Sequence, residues 1–503
     1  LKTGLKGIVW MVRRTVRQRN LTWLPFLFCE LLFSCFVFAS TTEAQIQPRA
    51  DSTANRTSTV RSDTSVTGTS LTQPSQLPGA ARITPAPAQL SLSAAIDLAL
   101  SNNLATLLAQ EQRREASGIR QQARSGLLPN IDANSYQASI TENLAALGFQ
   151  SGTFPGFTQT FIGPFNNFDA RARLVQNIFD LSIIRNYQSS KAGERVAEYR
   201  QRLAREQVSE ATALTYLEAL RTERNVAAAQ ANVELATALL SLAQDQRNAG
   251  VATGVDVTRA ETRLAQERVR LAQANTSSEQ ARLNLQRVIG VPLGSPLVLT
   301  DPLRFVDESP PAADTAVAQA LTNRNEVLIS QAQVDVFDLQ RKSVKGELLP
   351  SLQFVADYGV SGITPTDTAL PTRRVAVQLN VPIFNGGLTQ GRLTVASSRE
   401  HQAELELSSV KGQVEEDVRL ALSALHTTVE RVRAADEAFR LAQRELEMSR
   451  DRFRAGVADN LEVISAQTSL ANARDDQVQA LAAYNAARLN LAASLGRAEA
   501  FRW

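Results

Sequence analysis

The chain has 503 residues, 53 Lys and Arg against 50 Asp and Glu, 44% hydrophobic content and two cysteines. Near-balanced charge removes the main electrostatic reason to expect a nucleic-acid partner. Both cysteines, Cys29 and Cys35, lie close to the start, so the rest of the chain holds together without disulfides.

Residues 1–44 read as a secretory signal. Arg13, Arg14, Arg17 and Arg19 precede an apolar run from Leu21 to Ala39, and small residues follow around Ser40 to Ala44. Pro25 and Glu30 interrupt the run, which is marginal against the roughly 20 apolar residues a span needs. Cleavage is expected after Ala39 or Ala44, and Phe33 disfavours a lipoprotein start at Cys35. Residues 45–89 are rich in Ser, Thr, Pro and Ala and contain no aromatic side chain. They are expected to form a disordered leader, because they cannot bury enough apolar surface to offset ordering entropy.

Beyond the leader the chain is written twice, as residues 90–300 and 314–496 joined by a linker at 301–313. Gly126-Leu127-Leu128-Pro129-Asn130 recurs as Glu347-Leu348-Leu349-Pro350-Ser351, and Ala281-Arg282-Leu283-Asn284-Leu285 recurs as Ala487-Arg488-Leu489-Asn490-Leu491. Each copy opens on a helix, Leu92–Gly126 and about Thr315–Glu347, rich in strong helix formers. Pro129 and Pro350 break helix from strand, since proline removes a backbone donor. Hairpins are expected over about 130–179 and 351–383. Leu352, Phe354, Ala356, Tyr358 and Val360 alternate with polar Gln353 and Asp357, and Arg374, Ala376, Gln378 and Asn380 alternate with Val375, Val377, Leu379 and Val381. The first hairpin carries an aromatic loop with Phe149, Phe154, Phe157, Phe161, Phe165 and Phe168. A membrane barrel and a half-buried soluble hairpin both fit such strands.

Long helices are then expected over 181–247 and 387–453, each roughly 100 Å at 1.5 Å per residue. Tip turns at 248–254 and 454–460 lead to return helices at 255–289 and 461–495, and residues 497–503 form a tail. Heptad stripes bind the helices: Val257, Leu264, Leu271 and Leu285 match Val463, Leu470, Tyr484 and Leu491, with an alanine seam beside them. At the tips Gly250 and Gly456 end the long helices. Thr253 or Asp459 can cap the next helix, with Asp256 or Glu462 three residues on. Capping and the helix dipole account for these acids by themselves.

In this order of elements, with Val381-Pro382-Ile383-Phe384-Asn385-Gly386-Gly387 and Arg452-Phe453-Arg454-Ala455-Gly456, the chain resembles the TolC family of outer membrane efflux proteins over about residues 90–496. The resemblance implies a mainly α fold with a β membrane part. Duplicated long-helix hairpins would form an α-helical barrel, and four strands per chain would contribute to a trimeric 12-stranded transmembrane β-barrel in outer membrane lipid. It implies a homotrimer, a periplasmic adaptor (membrane fusion) protein meeting the tips at Gly250, Val251, Arg452, Phe453, Gly456 and Val457, and an inner membrane transporter. It places Asp256, Glu462 and Ser465 at the tip constriction, with Glu462 at an acidic ring position. Ser465 stands where well-known members carry a second acid, and Phe453 and Ala458 stand where they carry a tyrosine and an arginine, so a polar latch is not expected. Strand physics permits two or three copies, because eight strands also close a barrel.

Enzymatic and cofactor readings find no support. His401 and His426 are the only histidines, neither sits in a metal-spaced cluster, and no phosphate-cradling glycine loop is present. No cofactor is expected. The competing function class is a periplasmic coiled-coil structural or adaptor protein without a channel.

Overall fold

Two helices as long as the sequence predicts form the frame. The computed structural model describes residues 78–148, 160–307, 310–455, 457–458 and 460–501, all within one unit, Thr72–Trp503. The signal segment, leader residues 45–77, Phe149, Phe154, Phe157, Gly456, Asp459 and the last two residues of the tail lie outside the described residues.

In chain order the elements are β1 (Gln89–Leu90), α1 (Leu92–Asn102), α2 (Leu104–Ser125), β2 (Asn130–Asn143), β3 (Phe161–Phe179), α3 (Leu181–Asn248) and α4 (Gly254–Ile289). The second repeat continues with β4 (Val298–Leu299), α5 (Ala313–Asn323), α6 (Asn325–Gly346), β5 (Ser351–Gly362), β6 (Leu370–Asn380), α7 (Leu388–Arg454) and α8 (Asn460–Ser494). β2, β3, β5 and β6 form one antiparallel sheet in that order, and β1 pairs in parallel with β4. Pro129 and Pro350 stand between helix and strand, as their missing amide requires.

Three expectations change. The single opening helix of each repeat is two helices: Asn103 turns extended, and its side chain accepts the Ala105 N–H at 2.9 Å to cap α2. The break after α5 at Arg324 is its counterpart. The leader is not disordered over 78–89, because its backbone finds partners on the end of the first repeat. The Ala80 N–H donates to Arg287 O at 3.1 Å and the Thr84 N–H to Gly290 O at 2.8 Å. Phe161, Phe165 and Phe168, assigned to the aromatic loop, belong to β3, which extends past a bulge to pair Phe161 with Asn143.

Packing follows the duplication. In the first repeat Ala95, Ile96 and Ala99 of α1 meet Val208 of α3 and Ala281, Leu285 and Ile289 of α4. In the second, Ala316, Val317 and Ala320 of α5 meet Val414 of α7, Ala487 and Leu491 of α8, and Leu495 just after it. Residues one heptad apart thus feed two cores of the same design, each sealing the middle of a helix pair. Of the predicted stripes, only Leu271 and Ala274 are no more than half-buried. α3 contains an 18-residue stretch apolar enough to cross a membrane, yet it packs against α1, α2, α4, α6 and α8.

Where the repeats meet, α3 runs along α6. Gly346 permits the approach: a Cβ there would lie 2.7 Å from Ser182 N and 2.9 Å from Leu181 C. A second joint fixes the belt around the middle of α3. The buried Tyr216 hydroxyl donates to Asp301 Oδ2 at 2.7 Å, with Leu90 O 2.9 Å away, and the Leu92 N–H donates to the same Asp301 oxygen at 2.7 Å. Tyr216→Phe leaves buried acceptors short of a donor, a loss of about 1–3 kcal/mol. The expected outcome is a lower thermal midpoint by circular dichroism; an unchanged midpoint would show the hydroxyl to be dispensable.

Candidate channel wall and tip

Strand register sorts the sheet into two faces. Asp132 pairs with Arg173, Arg173 with Asp357, and Asp357 with Arg374, so alternating charges cross all four strands in one row. Asn134, Tyr136, Asp169, Arg171, Asn177, Gln353, Gln378 and Asn380 share that face. Arg171 bonds Asp169 through two nitrogens and lies 3.5 Å from Asp357. The next row, Ile131, Leu174, Ala356 and Val375, belongs to the opposite face, with Ala172, Phe354, Tyr358, Val377 and Leu379. Ser135, Gln137 and Ser139 of β2 and Arg373 of β6 also fall on the apolar face, and Val175 and Val355 on the charged one. Val375, Val377 and Leu379 are 70%, 62% and 63% exposed. A sheet polar on one side and bare apolar on the other matches a wall between water and hydrocarbon.

The tip turns lie at the far ends of the long helices. Gly250 takes a left-handed φ of +77°, and the Val251 N–H donates back to Gln246 O at 3.0 Å, closing α3. Asp256 then accepts the Thr253 N–H at 2.9 Å and the Thr253 hydroxyl at 2.6 Å, with Arg259 at 3.8 Å. These hydrogen bonds, then the Arg259 charge, hold its carboxyl below the usual range. At the second tip Glu462 Oε1 lies 3.2 Å from Arg452 Nε, an ion pair joining α7 to α8. Val251 and Val457 are exposed, as is Ser465. Phe453 is not available as a contact residue: it is buried among Leu446, Val463, Ala466 and Leu470, because its position on α7 faces the return helix. Between the return helices, Val255, Arg259 and Arg263 with Leu461 and Ile464 line a groove of about 690 Å³.

Two charged clusters were not legible as sites in the sequence. Near the middle of the bundle, Arg324 bonds Glu326 at 2.7 Å and Asp417 at 2.6 Å. Close to it, burial raises the carboxyls of Glu206 and Glu210. An Asn325 hydrogen bond opposes this for Glu206, and Arg324 opposes it for Glu210. Nearer the tip, Glu267 is fully buried and lies 2.7 Å from Arg263 and 3.4 Å from Arg270. The Arg263–Glu267 spacing was readable as a helical pair; its burial was not. Among the described residues no three His, Cys, Asp or Glu side chains are placed to hold a metal.

These shifts have opposite signs with pH. Asp256 stabilises the fold fully above the ordinary carboxylate pKa, and that contribution is lost as pH falls through its depressed value. Glu210 favours the fold at low pH and loses its contribution as pH rises through its raised value. Asp256→Asn is therefore expected to flatten the acid side of a midpoint-against-pH curve, and Glu210→Gln to raise the midpoint near neutrality but not in acid. Parallel curves for both variants and the parent chain would contradict this.

A family profile described as outer membrane efflux protein matches residues 95–291 and 316–497. The outer membrane efflux protein BepC of Brucella suis is 27% identical over 269 residues, 53% of this chain and 56% of that protein. The alkaline protease secretion protein AprF of Pseudomonas aeruginosa is 24% identical over 317 residues, 62% of this chain and 66% of that one. The chain thus spans between about half and two thirds of the length of these relatives. Among solved structures, the Campylobacter jejuni CmeC outer membrane channel has the same fold at 18% identity, with a TM-score of 0.70 over 81% of this chain and 86% of that one.

Proposed function

Because the chain belongs to the outer membrane efflux protein family, we propose that it is a passive exit duct, the outer membrane component of a tripartite efflux or type I secretion system. The observation that carries this reading is the two-faced sheet of four strands whose edges, β2 and β6, are unpaired among the described residues. In hydrocarbon an unsatisfied backbone group costs several kcal/mol, so only a closed barrel is tolerated there. Copies of the chain close it, and the family resemblance makes the number three. Below the sheet, helices of 68 and 67 residues reach roughly 100 Å, the scale of a compartment rather than of a core.

In this reading the apolar face meets lipid and the charged rows line water. A periplasmic adaptor docks at Val251 and Val457, the tip helices shift, and the constriction near Asp256, Glu462 and Ser465 widens. An inner membrane transporter supplies the energy, and the duct contributes no chemistry. One relative is named for efflux and another for alkaline protease secretion, so similar chains serve different cargo. Selection is then left to the transporter.

Purified from outer membranes in detergent, the chain is expected to run as a heat-sensitive trimer and to give single-channel conductance in planar bilayers. Recovery as a soluble protein without conductance would instead support a coiled-coil adaptor. Asp256→Ala with Glu462→Ala is expected to change conductance or ion preference. Unchanged conductance with a lower melting temperature would leave those acids only their capping role.

A further inference from the structure

The two repeats break their opening helices by different chemistry. Positions correspond one to one there, since α1 and α5 are both 11 residues long and α2 and α6 are both 22. In the first repeat Asn103 stands at the break and caps α2, with Leu104 and Ala105 after it and Ala211 three residues beyond Val208 on α3. None of these carries a charge. In the second, Arg324 stands at the break with Asn325 and Glu326 after it, and Asp417 lies three residues beyond Val414 on α7. The Arg324 side chain makes no cap. A break of this shape therefore needs no ions, and the charges at the second one call for another reason.

The guanidinium of Arg324 is fully committed. Its Nη1 donates to Asp417 Oδ2 at 2.6 Å, Nη2 to Glu326 Oε1 at 2.7 Å and Nε to Glu326 Oε2 at 3.2 Å. Gln413 of α7 donates to the other Asp417 oxygen at 3.0 Å. Facing Arg324 and Glu326 from the first repeat are Glu206 and Glu210 of α3, one helical turn apart and both half-buried. The buried Asn325 side chain hydrogen-bonds Glu206. Arg205, beside them on α3, is bonded to Glu499 of the tail, and Arg488 of α8 stands over the Phe501 ring of that tail. Two carboxyls thus sit where the repeats meet, and the nearby Arg205 and Arg324 already serve other carboxylates.

Such a joint answers to protons. Burial without a free counter-charge disfavours the ionised form. Burial is the largest influence on both groups and raises them; Asn325 opposes it for Glu206 and Arg324 for Glu210, while Glu326 adds to it for each. Ionised together, the two put like charges one turn apart on a single helix, next to Glu326. Protonated, they repel nothing. The helix is also built to give at this level: Ser209, Thr212, Thr215 and Thr222 each bond the carbonyl four residues back, a pattern that bends helices.

We propose that this joint is a proton-operated clasp between the repeats. Protons taken up by Glu206 and Glu210 draw the waist of α3 onto the start of α6, and their release near neutrality loosens it. The contribution is complete below the ordinary carboxylate pKa and is lost as pH rises through the raised values. At the matching positions of the first break there is nothing to titrate, so that joint keeps one state. A local change of charge thereby decides how freely one repeat moves against the other. The clasp goes beyond the duct reading and does not depend on it.

The test compares the full chain in detergent with its Glu206→Gln, Glu210→Gln double variant by amide hydrogen exchange. Labelling is done at about pH 5 and about pH 8, with times scaled for the chemical dependence of exchange on pH. In the parent, peptides covering residues 203–213 and 324–331 are expected to exchange several-fold faster at the higher pH, while a peptide over residues 99–107 at the first break keeps its rate. In the double variant, which cannot ionise there, the second break is expected to stay slow throughout. A merely structural role would let glutamine shift the thermal midpoint and leave the pH difference in place. Equal behaviour of the two breaks in the parent, or an undiminished difference in the double variant, overturns the proposal. Should the double variant fail to fold, Glu206→Gln and Glu210→Gln are read singly: each is expected to shrink the difference, and no shrinkage in either overturns the clasp. Conductance does not enter the measurement, so failure of the clasp leaves the duct reading standing.

Discussion

The backbone groups left open along β2 and β6 constrain everything else in this protein. A sheet of four strands has two edges, and each edge presents a row of donors and acceptors that water satisfies and hydrocarbon does not. The same strands carry Val375, Val377 and Leu379 bare on one face and a row of alternating Asp and Arg on the other. Those features are compatible only if the edges are closed by something in the plane of the sheet.

The helices solve a different problem with the same economy. α3 and α7 are too long for a single core, so they are gripped at intervals: both by the repeat cores near Val208 and Val414 and by the tip cluster around Leu239, Leu446 and Val463, and α3 also beneath the sheet by Ala192 and Val196 against α6. Between these grips the bundle carries paired charge, with half-buried Arg324 bonded to two carboxylates and buried Glu267 between two arginines. Paired charges of this kind stabilise weakly but penalise mispacking heavily, because one partner removed leaves the other buried. Long helices with repetitive alanine stripes can slide in register, and these fixed pairs resist it.

At the tips, stability and position coincide. Asp256 is consumed by the Thr253 cap and Glu462 by Arg452, so each acid secures its turn while standing at the end of the bundle. Val251 and Val457 are left exposed beside them.

Much of this was written in the sequence, because local patterns report local geometry. The proline breaks, the period-2 strands, the heptad stripes apart from Leu271 and Ala274, and the capping box of the first tip each depend on neighbours within a few residues, and each appears where the pattern put it. Tertiary structure decided what depends on distant partners. Asn103 breaks a helix that composition alone would continue, since its side chain caps the next one. Residues 78–89 are ordered because the end of α4 offers backbone partners. Phe453 turns inward because α8 returns beside it, and Glu267 is fully buried although its spacing from Arg263 reads as an ordinary helical ion pair. Spacing tells which face a residue shares, but only packing tells what that face meets.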